Sequence, residues 1–142
     1  MRKLYLLFGA IVLLTAAGLL ALRQEPAGQT GLISVPSGQD VRFQEVIWGQ
    51  RSAGGLAVRF RFLAPEIARS GGRISFDEAV GDMQDLCDNY ALRRISELGP
   101  RPAQIIISLS DRPVPFAEPD PGVTQYFEAY RIENTVCVWE GF

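Results

Sequence analysis

The nineteen residues from Leu4 to Leu22 carry no charge, and that run constrains the chain more than any other feature. A helix of this length rises about 28 Å at 1.5 Å per residue, close to the thickness of one hydrocarbon core. The run has no polar face, which argues against a helix buried in a globular core. Arg2 and Lys3 precede it and only Arg23 follows closely. The positive-inside bias then keeps the N-terminus in the cytoplasm and carries the rest of the chain across the membrane.

Two leaders fit this pattern. The reading adopted is an uncleaved signal anchor over residues 1–22. The alternative is a signal peptide cleaved at the weak small-residue site Ala16-Ala17-Gly18. That site would lie inside the apolar run, which continues through Leu19, Leu20 and Leu22. No cysteine follows the run directly, so a lipoprotein anchor is excluded. The expected location is the inner membrane with the domain in the periplasm, or the periplasm or exterior if the leader is removed. Residues 23–31 contain Pro26, Gly28 and Gly31 and read as a linker, leaving 32–142 as a single domain.

Export bears on the two cysteines, Cys87 and Cys137. In an oxidising compartment such a pair is most simply a disulfide, with two buried free thiols as the alternative. A redox dithiol lacks its Cys-x-x-Cys. Beyond Leu22 there are twelve basic and sixteen acidic residues, a net charge of −4, and no lysine at all. Scattered arginines on an acidic domain exclude the clustered charge that phosphate backbones need, so nucleic acid is not an expected partner. The chain also has no histidine. That removes Ser-His-Asp and Cys-His catalysis and histidine-containing metal sites.

Along the domain, Leu32 to Val35 reads as a short strand, and Val41 to Trp48 as a second, bulged near Glu45. A loop follows over Gly49–Gly55. Leu56 to Leu63 alternates clearly, with Leu56, Val58, Phe60 and Phe62 on one face and Ala57, Arg59 and Arg61 on the other. Ser75 followed by Glu78 forms a capping-box pattern. From there Phe76, Val80, Met83, Cys87 and Tyr90 recur at helical spacing, so an amphipathic helix runs to Leu98 before Gly99-Pro100. Gln104–Ser110 reads as a buried strand. Asp111–Gly122 holds Pro113, Pro115, Pro119 and Pro121 and cannot be a central strand. Val123–Ile132 and Thr135–Trp139 form a closing hairpin. The expected fold is α+β, in ββ-α-βββ order, with an antiparallel or mixed sheet and one main helix on a face.

Candidate sites are few. Asp77, Glu78, Asp82, Asp85 and Asp88 line the helix and read as a solvated face favoured by the helix dipole, in preference to a cation site or an acid–base pair. Arg59 and Arg61 project together and are candidate contacts for an anion or ligand; pairing with the helix acids would also explain them. Ser108, Ser110 and Asp111 lack any base that could activate a serine. Arg112, Val114, Phe116, Tyr126, Tyr130 and Trp139 are the candidate interaction surface, set against a loop that packs its aromatics over the sheet edge. No catalytic residue, metal ligand or cofactor motif is expected.

The segments Ala57-Val58-Arg59-Phe60-Arg61-Phe62-Leu63-Ala64-Pro65, Ser108–Phe116 and Cys137-Val138-Trp139-Glu140-Gly141-Phe142 resemble an uncharacterised family of small exported alphaproteobacterial proteins, a domain of unknown function. The likeness covers most of the chain after Ile33 and implies a compartment without a mechanism. The longer apolar run with Arg23 behind it departs from the plain cleavable signal expected of that family. The functional expectation is a non-enzymatic envelope protein that binds a partner protein, with a small-ligand or metal-binding domain as the alternative and a carboxylate-based hydrolase as a third reading.

Overall fold

The computed structural model describes residues 31–52 and 54–141. The apolar run Leu4–Leu22 and nearly all of the linker lie outside the described residues. Among the described residues no helix is long and apolar enough to cross a membrane.

Five strands, β1 (Arg42–Ser52), β2 (Gly55–Leu63), β3 (Gln104–Ser110), β4 (Gln125–Glu133) and β5 (Val136–Glu140), lie side by side in sequence order. All neighbours are antiparallel except β2 and β3, which run parallel. A parallel pair needs a long crossover, and the helix between β2 and β3 supplies it. The sheet is therefore mixed, and the ββ-α-βββ order holds.

The helix begins at Ser75, whose hydroxyl accepts from the Glu78 N–H while the Glu78 carboxylate accepts from the Ser75 N–H, completing the capping box. It continues as α1 (Phe76–Asp85), a π-helical segment (Leu86–Ala91) and α2 (Leu92–Leu98). In the wide segment the Leu92 N–H reaches back five residues to the Cys87 carbonyl. Sequence periodicity shows the helix but not this insertion.

Alternation sorts each strand into two faces. Val58, Phe60 and Phe62 of β2 and Ile105, Ile107 and Leu109 of β3 meet Met83, Leu86, Tyr90 and Ile95 of the helix in the main core. Tyr90 sits among Phe43, Phe60 and Phe62, with ring centroids 5.2 to 6.5 Å apart. Burial of these apolar side chains is the main force holding the two layers together, on the order of 2 kcal/mol for each large side chain. Among the described residues no helix covers the opposite face. Its centre is a small patch of Ala57, Ile106 and Ala129.

Each sheet edge is met by other chain at one point, which limits unwanted pairing there. Beside β1 the incoming chain forms a single bridge, Ile33 to Val41, where the sequence suggests a strand over Leu32–Val35. Strand β1 extends to Ser52, through residues expected to be loop, and absorbs the excess with register shifts at Phe43/Glu45 and Ile47/Gln50. The first coincides with the bulge expected near Glu45. Leu56, placed by alternation on the core face, is 60% exposed because it lies at the strand's start beyond the helix cover.

At the other edge, Cys137 of β5 is bound to the helix three ways. Its sulfur forms a disulfide with Cys87 at 2.05 Å. Its N–H donates to Asp88 at 2.7 Å, and its carbonyl accepts from the Gln84 amide at 2.9 Å. Gln84 and Asp88 are one turn apart and also bond to each other, so the pair supplies β5 with a substitute for a missing strand.

Candidate binding site

The helix acids are not one solvated face. Asp82 is fully buried. Its carboxylate accepts from the Ser37 N–H at 2.8 Å, the Ser37 hydroxyl at 2.5 Å and the Gln39 side-chain amide at 2.6 Å. It bolts the segment holding Ser37 and Gln39 onto the helix. Asp88 holds β5, Asp85 accepts from Asn89, and Glu78 serves the cap. Spacing by three placed these acids near one another but could not show that a segment 43 residues upstream folds over Asp82. Among the described residues no group of three or more His, Cys, Asp or Glu side chains could hold a metal ion.

The six residues expected as an interaction surface divide between the two faces. Tyr130 is buried in the main core with its hydroxyl unbonded, and burial pushes that hydroxyl's pKa up, with Glu128 and Asp88 adding to the shift. Tyr126 lies on the same face and meets Phe76 edge-on at 5.1 Å. Trp139 is exposed over most of its ring and donates to Glu128 at 2.6 Å. Val114 and Phe116 belong to the opposite face, Val114 buried and Phe116 exposed. Arg112 is exposed and pairs with its neighbour Asp111, also away from the main core. Alternation assigns strand residues to faces; it could not place the Pro-rich segment, which crosses the sheet without regular structure.

Ser110 and Asp111 shape the start of that segment. The Ser110 hydroxyl donates to the Arg112 carbonyl at 2.5 Å, and Asp111 accepts from the Thr124 N–H at 3.2 Å. Burial pushes the Asp111 carboxyl up, yet its bonds from Arg112 and Thr124 together hold it below the ordinary range. These contacts close the base of the loop from Asp111 to Thr124 and leave no nucleophile.

The loop runs over the sheet face on which the described residues place no helix and borders an open hollow of about 440 Å³. Arg59, Arg61, Ser108, Phe116 and Phe127 are among the residues lining it. The two arginines do project together, but the sheet separates them from the helix acids. Arg61 is nearly fully buried; it pairs with Glu45 and donates from Nη2 to the Val114 carbonyl at 2.6 Å. It tethers the loop to the sheet. Arg59 differs. Its Nε donates to Gln50 at 3.0 Å, and its guanidinium lies 5.9 Å from the Phe116 centroid and 5.7 Å from that of Phe127. Among the described residues it makes no ion pair. Burial lowers its pKa below the usual arginine value, and the neighbouring Arg61 lowers it further.

The wall bearing Phe116 is strained. The Glu118 N–H closes a turn onto the Pro115 carbonyl at 3.3 Å, and within it Ala117 takes φ 64°. Left-handed backbone costs an alanine about 1 kcal/mol relative to glycine. Strain of this kind concentrates where a side chain must be aimed.

A family model described as a family of unknown function (DUF6497) matches residues 14–142. The chain belongs to the DUF6497 family. Comparison with curated proteins and with solved structures gave no match.

A larger hollow, about 760 Å³, opens between α2 and the β4–β5 hairpin. Its polar lining is largely committed. Asp88 serves Cys137, Asn89 bonds Asp85, and Arg101 donates to the carbonyls of Ile132 and Asn134. The larger hollow also holds Arg93, which like Arg59 makes no ion pair among the described residues, but Arg93 is exposed, whereas Arg59 is half-buried beside two aromatic rings, the better mark of a ligand site.

Proposed function

We propose that this chain is a non-enzymatic binding domain, exported across the membrane and held there by the Leu4–Leu22 segment, that engages a partner protein through the Arg59 hollow. The observation that carries the reading is the partly desolvated Arg59 guanidinium beside two aromatic rings, which makes no ion pair among the described residues. A cation withdrawn from water is unfavourable unless an opposite charge compensates it. Its neighbour Arg61 has that compensation from Glu45 within the fold. For Arg59 the partner supplies it.

A protein partner is favoured by the rim. Phe116 and Phe127 are 42% and 50% exposed, and Pro115 and Pro119 stiffen the loop between them and solvent. Aromatic rings with a central arginine are the usual anchors of protein interfaces, and a stiff loop loses little entropy on binding. Support for export comes from the uncharged leader and the cysteine pairing, and support for a non-enzymatic role from the absence of any histidine or activated nucleophile.

The test uses the full chain expressed in its own envelope, with a photoreactive phenylalanine analogue at position 116 or, as a control, at half-exposed Asp85 of the helix. The expected result is a discrete protein adduct from position 116, absent from position 85, and lost when Arg59→Ala is added. Adducts that are identical from both positions, or none from position 116 in disulfide-intact protein, would overturn the reading.

A further inference from the structure

Resting on that reading, we infer that the Arg59 hollow takes a free C-terminal carboxylate, the end of a polypeptide whose last residue is apolar.

The donors of Arg59 define the charge it can accept. A guanidinium has five N–H groups. The Nε–H of Arg59 is already given to Gln50, and among the described residues none accepts from its two terminal nitrogens. The free edge is the end-on fork, which matches the two oxygens of one carboxylate. Arg61 offers no second fork, since its nitrogens are bound to Glu45 and Val114. The site thus holds one planar anion.

The lining then separates a carboxylate from a phosphate. Glu118 stands in the wall of the same hollow, and the exported part of the chain carries net negative charge. A dianion would meet that repulsion in full, and a monoanion half of it. The remaining walls, Pro115, Phe116, Ala117 and Phe127, are apolar, with the Ser108 hydroxyl and the Gln125 amide as additional hydrogen-bonding groups. A terminal residue carries its carboxylate and its side chain on the same carbon, so charge and apolar group enter one small space together. An aspartate or glutamate side chain would instead bring its polar backbone against the rings. The volume falls within the range of about 300–1,000 Å³ typical of ligand pockets.

Nuclear magnetic resonance of the full chain in detergent micelles, disulfide intact and arginine ¹⁵N-labelled, tests this directly. The probes are N-acetyl-L-phenylalanine, its amide, N-acetyl-L-aspartate α-amide and inorganic phosphate. N-acetyl-L-phenylalanine is expected to shift the Arg59 Nε–Hε and Phe127 amide signals saturably at millimolar concentration, while its amide leaves them unmoved and the other two bind more weakly. Arg59→Lys keeps the charge but loses the fork, and is expected to weaken binding at least about tenfold with the unfolding midpoint unchanged. No saturable response to N-acetyl-L-phenylalanine, an equal response to its amide, tighter binding of the aspartate or phosphate probe, or full binding by Arg59→Lys would each overturn the inference. A position-116 adduct that persists despite such a failure would leave the binding reading standing and remove only the carboxylate.

Discussion

Replacing Asp82 with alanine should release the segment around Ser37 and Gln39 from the helix. The Asp82 carboxylate is fully buried and accepts three hydrogen bonds, two from Ser37 and one from Gln39. Hydrogen bonds to a charged acceptor contribute about 1.5–3 kcal/mol each, but three sharing one carboxylate do not add fully. Truncation also strands buried donors and opens a small cavity beside Met83. A total loss of about 3–4 kcal/mol follows for Asp82→Ala. Asp82→Asn should lose only about 1 kcal/mol, because the Gln39 amide can turn and offer its oxygen, which has no partner in the native structure. Urea unfolding of the disulfide-intact protein gives both numbers, and hydrogen exchange at the Ile33 and Ser37 amides shows whether the loss is local. If Asp82→Ala costs less than about 1 kcal/mol, or the two variants are equally damaged, the bolted-segment account is wrong.

Two further outcomes follow from the helix. Removing the Cys87–Cys137 link, which closes a separation of 50 residues, should cost about 4 kcal/mol in the chain-entropy model, read by urea unfolding of the double alanine variant against native protein. Mass spectrometry of the isolated protein without reductant should recover the two peptides joined; free thiols at both positions would contradict the structure. Glu78 provides a pH test. Its bonds from Ser75 hold its carboxyl below the ordinary value of 4.5, so the stability it contributes is present above that value and is lost as pH falls through the depressed pKa. The urea midpoint should therefore fall more steeply on acidification in the native protein than in Glu78→Gln, and identical acid limbs would refute the capping role.

The layers of this fold are legible in the sequence because each rests on a local pattern. Alternation over Val58, Phe60 and Phe62 marks β2, the Ser75–Glu78 box marks the helix start, and four prolines exclude a strand between β3 and β4. The pairing of Cys87 with Cys137 follows once both elements are placed. Contacts made by irregular chain over long separations leave no such trace. Nothing local to Asp82 announces Ser37, and nothing near Arg61 announces the Val114 carbonyl 53 residues away. The same limit explains the interaction surface. Composition singled out the Pro-rich loop, and alternation set Arg59 beside Arg61, but the sequence reading joined Phe116 to Tyr130 and Trp139, which the sheet separates. Phe127, missed by that reading, is one strand residue from Tyr126; its position opposite Ser108 on β3 gives it to the hollow. Alternation along β4 was the available signal.

The central claim is that Arg59 is kept for a ligand while Arg61 is kept for the fold, and the thermal stabilities of two single variants test it without any partner. In Arg61→Met, Glu45 and the Val114 carbonyl lose their bonds, and stability should fall by about 2 kcal/mol. In Arg59→Met, relief of a desolvated cation offsets the lost ring and Gln50 contacts, so stability should stay within about 1 kcal/mol of the native protein or rise. A loss for Arg59→Met as large as that for Arg61→Met would make Arg59 a structural residue and contradict the account.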